Sequence, residues 1–541
     1  MPWSSGDRLN SANLNAKSGY AFISVLDPAY SADSSGAADS TASIQAALNA
    51  GSASSMAVFA PAGTYLINPA SQLTLRAGAL IGAGMGLTIF KRINTTNDNR
   101  ILWFGDDTNS GVTYTDIVIR DITFDGNRAN STQSGSNQLV FAKYVDRFAL
   151  TNVEIRNAPF FGMQIKNAVH GTLNNIQVYN TNRDGLNFSD GCEFIALNNF
   201  VGRDTGDDSL AFVTSTNAAC RYITASNIVC EDSGLNSDGA GTGGAGIKLA
   251  GAQFVNIANA FITNAADGGV MIETLSGQTA QDIVITGLSV LTCGTRSAAA
   301  VKSGVNISAG KRIFVQGQIA GASADGVTVT SGSSDVVLDV ATYRAGRDGV
   351  RVDGSTGHVY DVELRGVAST SSACGVLCTT ADSVRLTSMA CVNNNQHGNT
   401  DDSNAVGASF TSCKGVMVVG GDFSDTQAVA TQRFGLRFYG TACAGVYITG
   451  AKATGNVSTA VGFVTTPTAP WRVANTEGYT QNGKDVLTNN DGLFLLSGSG
   501  AAESNVTAPI GSWYMRTDAG PVFAVKESGT GNTGWASVAT V

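Results

Sequence analysis

A short pattern of alternating apolar and polar residues recurs through the middle of the chain. Most copies open with a small or acidic residue and Gly, as in residues 184–188 (DGLNF), while residues 161–165 (FGMQI) have Phe before the Gly. Further copies continue to residues 434–438 (FGLRF), and half of the steps between successive copies are 22–24 residues. Period-two alternation is typical of a half-buried strand, and the longer steps indicate loops inserted between strands.

A second apolar strand lies between most copies, for example residues 282–285 (DIVI). Two or three short strands in about 23 residues, with no helix between them, fit one coil of a β-helix. Leucine-rich repeats have a similar period, but their LxxLxLxxN signature is absent, and a propeller blade needs about 40–45 residues. We therefore predict an all-β chain that folds as a right-handed parallel β-helix, in which stacked coils pair their backbone amides along the axis.

The front of such a stack needs a cover, because the first coil has an open edge. Residues 39–41 (DST) resemble a helix N-terminus, and Ile44, Ala47 and Leu48 would share one helical face. Gly51 is then predicted to end the helix. The sequence predicts a short N-terminal capping helix, followed by the first coil from residues 58–67 (VFAPAGTYLI).

Composition narrows the functional classes. The 541 residues include 64 Gly and only 9 Pro, which suits many tight turns between paired strands. The net charge is −9 and Lys and Arg do not cluster, so we expect no nucleic-acid partner. No apolar run reaches the length of a membrane span, and residues 1–7 lack the features of a signal peptide. We expect synthesis in a cytoplasm, without membrane insertion, and nine cysteines that are mostly buried as small apolar residues, with disulfides as the alternative.

The order of residues 44–50 (IQAALNA), 58–67, 79–84 (ALIGAG) and 121–128 (DITFDGNR) resembles the pectate-lyase superfamily of β-helices, and particularly its bacteriophage tailspike members. Residues 3–15 (WSSGDRLNSANLN) are similar to particle-binding tips of phage tail proteins. Residues 510–518 and 525–531 are similar to a small β module that ends many phage fibres. The resemblance implies a virion protein and a homotrimer that contacts other tail or neck proteins through its N-terminal segment.

We accordingly expect four regions: a virion-attachment segment at 1–25, an N-terminal cap with the first coils at 26–115, the parallel β-helix at 116–480, and a C-terminal β module at 481–541.

Candidate chemistry lies in two consecutive copies of the pattern, residues 182–186 (NRDGL) and 205–210 (TGDDSL). Stacking would bring Asp184 close to Asp207 and Asp208, which lie one coil further on. Clustered carboxylates can separate their pKa values, so that one donates a proton while another activates water, as glycoside hydrolysis requires. Since neighbours on a strand point to opposite faces, Asp207 and Asp208 share a groove only if the chain bends there.

The same residues resemble the N-T-D-G and G-D-D motifs of polygalacturonase-like glycoside hydrolases. That resemblance implies that Asp207 is the general acid and that Asp184 and Asp208 position water, giving inversion with carboxyl groups about 6.5–9.5 Å apart. The family's R-I-K motif looks like residues 246–248 (GIK), which keep Lys248 but lack the Arg, and its G-H-G motif has no counterpart.

Lys248 is one substrate-binding candidate. Asp204, Asp267 and Glu273 lie near the same coils and are weaker candidates. The alternative is that the aspartates only form turns, since Asp-Gly also precedes strands at 325–326 and 348–349.

The leading hypothesis is a tailspike that binds and hydrolyses a host surface polysaccharide, without metal or other cofactor. A non-catalytic virion structural or adhesion protein is the alternative from another class. A polysaccharide lyase with Lys248 as its basic residue is a third interpretation.

Overall fold

A computed structural model describes residues 22–538, except 95–98, 107, 109, 132–137, 217, 237–242, 295–301, 401–403, 441–442, 465–467, 475, 479, 482–483, 489–493, 499–500, 503–511, 517–521 and 530–531. Residues 1–21, and with them most of the predicted virion-attachment segment, lie outside this description. The chain divides into two compact units, Met1–Val305 and Asn306–Val541.

The first unit consists of parallel strands and a helix. Helix α1 is Thr41–Ser54, and 3-10 helices are Pro69–Ser71 and Arg128–Asn130. The strands are β1 (Phe22–Ser24), β2 (Ser35–Asp39), β3 (Ala57–Ala60), β4 (Gly63–Ile67), β5 (Leu73–Leu75), β6 (Gly78–Gly82), β7 (Thr88–Arg92), β8 (Leu102–Gly105), β9 (Tyr114–Asp125), β10 (Gln138–Arg156), β11 (Phe161–Tyr179), β12 (Leu186–Ser189), β13 (Glu193–Arg203), β14 (Leu210–Val213), β15 (Arg221–Glu231), β16 (Ile247–Ala250), β17 (Gln253–Ala265), β18 (Val270–Glu273) and β19 (Gln281–Cys293).

The register of these strands follows the repeated pattern. Met163, Leu186, Leu210, Ile247 and Val270, which hold the same place in successive copies, pair as one column of parallel neighbours. The alternating apolar residues point inward, where Phe188 and Phe212 stack with ring centroids 5.1 Å apart. The predicted parallel β-helix is confirmed.

A bend in the long strands β10, β11, β13, β15 and β17 is formed by asparagines in the left-handed conformation. Asn152, Asn175, Asn199, Asn227 and Asn259 all have φ between 53° and 56°, a region in which Asn is enriched. Their side chains form a ladder along the stack, in which the Asn199 amide donates to Asn174 at 3.0 Å and the Asn227 amide donates to Asn199 at 3.1 Å. Each coil therefore has a short strand and two segments of a long one.

Helix α1 packs Ile44, Ala47 and Leu48 into the core, as predicted for a cap. The expected stop at Gly51 is wrong, because the helix continues to Ser54 and ends at Ser55 in the left-handed conformation. Gly51 serves packing instead, since a Cβ there would lie 2.6 Å from a Val58 methyl and 2.8 Å from the Met56 carbonyl.

The second unit repeats the parallel arrangement and then changes to a mixed sheet. Its strands are β20 (Val305–Ser308, which begins at the last residue of the first unit), β21 (Lys311–Ala322), β22 (Val327–Thr330), β23 (Ser334–Tyr343), β24 (Val350–Asp353), β25 (Val359–Ser369), β26 (Val376–Thr379), β27 (Ala381–Thr387), β28 (Val406–Thr411), β29 (Met417–Val419), β30 (Phe434–Tyr439), β31 (Ala444–Thr449), β32 (Thr459–Phe463), β33 (Thr468–Ala474), β34 (Thr480–Gln481), β35 (Lys484–Thr488), β36 (Phe494–Gly498), β37 (Trp513–Arg516), β38 (Val522–Lys526) and β39 (Trp535–Val538).

Within that unit, Val327, Val350, Val376, Ala408 and Leu436 form one parallel column. Strands β34–β39 form a separate six-stranded sheet with mostly antiparallel pairs, which confirms a small β module near the C-terminus. All nine cysteines of the chain are buried and free, in accord with the expected apolar role.

No helix in the described part of the chain is both long enough and apolar enough to cross a membrane.

Candidate active site

The three predicted carboxylates lie on the turns that lead into β12 and β14. The observed register pairs Leu186 with Leu210, so Asp184 stacks on Asp208, and Asp207 stacks on Arg183 of the previous coil. The local step between these two coils is therefore 24 residues.

The bend that a shared groove requires is present. Asp207 and Asp208 precede β14, which begins at Leu210, and the chain bends at Asp207. The Thr205 hydroxyl donates to the Asp207 carbonyl at 2.8 Å and fixes this bend. Successive side chains therefore do not alternate between faces as they would in a strand, and both carboxylates reach one cluster.

Within this cluster, one carboxylate oxygen from each of Asp184, Asp207 and Asp208 lies within 4.8 Å of the others. Asp184 and Asp208 are each only 5 % exposed. The Asn187 amide donates to Asp184 at 2.6 Å, and the Ala245 backbone N–H donates to Asp208 at 2.8 Å.

Asp207 is the more accessible carboxylate, and it forms an ion pair with Arg183 at 2.9 Å. The Arg183 guanidinium also lies over the rings of Phe160 and Phe161, 5.6 and 5.9 Å from their centroids. Sequence reasoning assigned Arg183 no role. The sequence does carry a signal for this ion pair. Gly185 and Ser209 hold the same place in successive copies of the pattern and are 24 residues apart, and the same step of 24 relates Arg183 to Asp207.

All three carboxyl groups hold protons more tightly than an ordinary Asp. Burial raises the pKa of Asp184 to about 7, and the charge of Asp207 adds to the effect. Burial also raises the pKa of Asp208 well above its usual range, with further contributions from Asp184 and Asp207. The pKa of Asp207 is raised by burial too, although Arg183 and Lys248 oppose the increase. The cluster therefore retains a proton near neutral pH and titrates as a unit.

Lys248 supplies positive charge beside the carboxylates. Burial tends to lower its pKa, but Asp208, Glu273 and Asp207 outweigh that effect and raise it. Its ammonium lies 3.3 Å from Glu273, so both candidates are near the cluster. Asp267 lies 3.8 Å from Lys302, and its charge raises the pKa of Asp207.

Asp204 is not part of the three-carboxylate cluster. It occupies a corner of the coil with φ 49°, in the same column of corners as Asn180 and Asp232. Burial together with Asp232 and Glu231 raises its pKa, and none of the three clustered aspartates contributes. The structure thus places Asp204 at a turn, outside the three-carboxylate cluster.

Two glycines let the next coil approach the cluster. A Cβ at Gly244 would lie 2.4 Å from the Asp207 carbonyl, and a Cβ at Gly243, where φ is +83°, would lie 2.3 Å from the Asp267 carboxylate. On the outward face of the short strands, Ala211 pairs with Asn187 on one side and Lys248 on the other. Ala211 is fully buried at this place.

The arrangement can donate a proton and hold a second carboxylate ionised, as glycoside hydrolysis requires. The expected separation for inversion is wrong: the facing oxygens are within 4.8 Å, below the roughly 6.5–9.5 Å typical of inverting enzymes. Three grouped carboxylates also have the donor chemistry for a divalent cation, but Arg183 and Lys248 already supply positive charge at this place.

These features define a parallel β-helix protein with a buried three-carboxylate cluster at the side of the stack. Residues 37–296, just under half of the chain, match the family model described as the alpha-1,3-glucanase catalytic domain D2. That range contains all the residues of the cluster. No curated protein matches the chain.

Several solved structures are similar to this fold. The pre-mature gene product 12 of bacteriophage phi29 is 15 % identical with a TM-score of 0.53, and the match covers 88 % of this chain and 59 % of that one. The catalytic unit of the GH87 alpha-1,3-glucanase from Streptomyces thermodiastaticus is 14 % identical with a TM-score of 0.46, covering 89 % and 71 %. The mannuronan C-5 epimerase AlgE6 A-module from Azotobacter vinelandii is 16 % identical with a TM-score of 0.37, covering 85 % and 99 %.

Proposed function

We propose that the chain binds a polysaccharide and hydrolyses its glycosidic bonds at Asp184, Asp207 and Asp208. The observation that carries this proposal is the cluster itself, in which three aspartates with raised pKa values share one place. Burying carboxylates without full charge compensation is costly, and such costs are typical of sites that do chemistry. The family match to an alpha-1,3-glucanase domain across the same residues supports a glycan substrate.

We assign the general acid to Asp207, following the resemblance to polygalacturonase-like enzymes. Its partial exposure supports this role, because the acid must reach the glycosidic oxygen of a bound chain. Asp184 and Asp208 would then act on the attacking water. The close spacing of the carboxylates gives inversion no support, so the anomeric form of the first product, followed by proton NMR, decides the stereochemistry.

We further propose that the protein works as a homotrimeric tailspike on a phage virion and that its substrate is a host surface polysaccharide. The likeness of residues 3–15 to phage particle-binding tips supports this setting. The similarity in fold to a phage gene product agrees with it.

The proposal is tested by incubating the purified full chain with alpha-1,3-glucan, host capsule and lipopolysaccharide, and measuring new reducing ends. We expect at least one of these to be cleaved, with saturated products. A complete absence of cleavage across host glycans, together with retained glycan binding, would favour the non-catalytic adhesion protein.

A lyase is the second candidate, favoured by the position of Lys248 beside the cluster. A lyase forms unsaturated products that absorb ultraviolet light, and Lys248→Gln would abolish their formation. Under hydrolysis, Lys248→Gln raises the pKa values of the carboxylates and moves the pH profile upward without creating unsaturated products, while the matched variant Lys302→Gln has a smaller effect.

A further inference from the structure

Three cations lie on the outward face of the coils that precede the carboxylates. Lys143 of β10 and Lys166 of β11 pair in one column with Ser189 of β12, two positions after Asn187, which binds Asp184. Because every second residue of a strand shares a face, Lys143, Lys166 and Asn187 face the same side as the cluster. Arg100, which directly precedes the coil of β8, joins them. We call Arg100, Lys143 and Lys166 the cationic patch.

The cations of this patch repel one another. Burial lowers the pKa of Lys143, and the charges of Lys166 and Arg100 lower it further, while the charge of Asp106 opposes them. In a chain with a net charge of −9, this local excess of positive charge is unusual.

Among the described residues, two carboxylates lie near the patch: other donors engage Asp106, and Asp190 pairs with Lys166 of the patch itself. Asp106 accepts hydrogen bonds from Thr108, Ser110 and Gly111, at 2.7–3.1 Å. Asp190 forms an ion pair with Lys166 at 2.7 Å and also accepts hydrogen bonds from Ser215 and Thr216. Both aspartates are buried, at 1 % exposed or less, so among the described residues of the patch the cations are the more exposed charged groups.

Arg100 has unused hydrogen-bonding capacity. Its guanidinium lies over the rings of Trp103 and Phe141, at 4.5 and 4.7 Å, and its Nε donates to Gln138 at 3.0 Å. Among the described residues no carboxylate forms an ion pair with it. The neighbouring Trp103 is 6 % exposed, and its indole N–H has no acceptor in the described part of the chain. Donors without acceptors at one place indicate an acceptor-rich ligand.

We propose that the cationic patch binds an anionic group, a carboxylate or a sulfate, on a sugar of the bound polysaccharide. This inference rests on the proposed function, because it takes the polysaccharide to run along the stack of coils and to cross the carboxylate cluster. Coils are about 4.8 Å apart, so Lys166 and Lys143 lie about one and two coils from Asp184. The anionic sugar would therefore be about one or two residues from the cleaved bond. The chain Gln138–Gln164–Ser189, linked by hydrogen bonds of 2.6 and 3.0 Å, connects the patch to the site.

The test measures binding separately from cleavage. Affinity electrophoresis of the Asp207→Asn protein, which cannot cleave, uses polygalacturonate, dextran sulfate and unsubstituted dextran of matched length. We expect an anionic polymer to retard the protein more than dextran does. Arg100→Gln/Lys143→Gln should weaken that binding at least about tenfold, because charge-assisted hydrogen bonds are the strong ones. The charge-matched control Arg203→Gln/Lys311→Gln, outside the patch, should bind as before.

Each outcome has a defined meaning. If only polygalacturonate retards the protein, the bound group is a uronate. If only dextran sulfate does, the bound group is a sulfate, and if both do, the patch binds anions without selectivity. Failure of both anionic polymers to bind, or an equal loss in the control variant, overturns the inference. Hydrolysis by the wild-type protein is scored independently: cleavage of a neutral glycan without anion binding leaves the proposed function standing. Anion binding lost only in the patch variant, without any cleavage, leaves the patch standing.

Discussion

Aspartates at the same place in the repeated pattern have different surroundings in the two units. In the second unit, Arg347 pairs with Asp325 and Arg351 with Asp348 at 3.3 Å, so each of the stacked carboxylates has a direct cation, although burial and the charge of Asp325 still raise the pKa of Asp348 to about 6. At Asp184, as at Asp208, no Lys or Arg of the described residues forms an ion pair. The turn interpretation therefore fits the second unit better than the first, where stacked carboxylates remain without a direct cation.

The raised pKa of Asp184 predicts a pH-dependent stability cost. Below about pH 3.8 both the folded and the unfolded protein are protonated at this residue, and it costs nothing. Between about pH 3.8 and 7 the unfolded chain loses the proton while the folded one keeps it, so the free energy of unfolding falls with rising pH. Asp184→Asn removes this cost and should stabilise the protein near pH 8, on the order of 1–4 kcal/mol.

Thermal unfolding measured from pH 4 to 8 checks this prediction. The advantage of Asp184→Asn over the wild type should shrink towards pH 4. The exposed corner residue Asp335 offers a control, because Asp335→Asn should show no such trend. An Asp184→Asn variant whose stability parallels that of the wild type at every pH would contradict the assigned burial effect.

At this scale the sequence identified the three carboxylates and their neighbours Lys248, Asp267 and Glu273. It could not identify Arg183 or the cationic patch, because a single Lys or Arg between apolar residues carries no local signal. The contacts of these cations depend on the register between adjacent coils. If the number of residues from one coil to the next is misjudged by one, Asp184 is assigned the wrong neighbour.

Among the structural elements, the bend before β14 determines whether the site exists. Gly244 packs directly against the Asp207 backbone, so Gly244→Ala should displace the bend and lower both activity and stability. We expect a loss of about 1–3 kcal/mol in the free energy of unfolding, which is typical of overpacking. Gly277→Ala is the comparison, since a Cβ there meets open space and its cost reflects the φ of +74° alone.

Activity and denaturant unfolding of the two glycine variants separate these effects. Gly244→Ala should lose activity beyond what its loss of stability explains, whereas Gly277→Ala should keep activity. Full activity in Gly244→Ala would show that the position of Asp207 does not depend on this contact.

The asparagine ladder makes a graded prediction about the long strands. Asn199→Ala loses the ladder hydrogen bonds and places Ala at φ 56°, whereas Asn199→Gly loses only the hydrogen bonds. We expect Asn199→Ala to be the less stable by about 1 kcal/mol or more. Equal stability of the two variants in urea unfolding would contradict the role of the left-handed corner.

The repeated pattern predicted the columns of short strands well, because inward apolar residues fix the register. It did not predict the left-handed corners, since Asn is equally common in ordinary turns. Nor did it predict that α1 continues past Gly51, where tertiary packing against Val58 overrides a local stop signal.

For the whole molecule, the resemblance to tailspikes predicts a homotrimer. Parallel coils with sparse charge offer long sides for packing in a closed ring. Sedimentation equilibrium of the full chain at micromolar concentration should give three times the monomer mass of 55.5 kDa, and mild denaturant should leave the trimer intact. A monomer under these conditions would contradict the assembly without affecting the site.

The central claim is that the three carboxylates cleave a polysaccharide, and Asp207→Asn tests it most directly. Asn keeps the size of Asp but cannot act as a carboxylic acid, so release of reducing ends from the cleaved glycan should fall about 10²–10⁴-fold. Glycan binding and thermal stability should remain close to those of the wild type. Undiminished cleavage by Asp207→Asn would contradict the account and leave Asp207 as a residue of the turn.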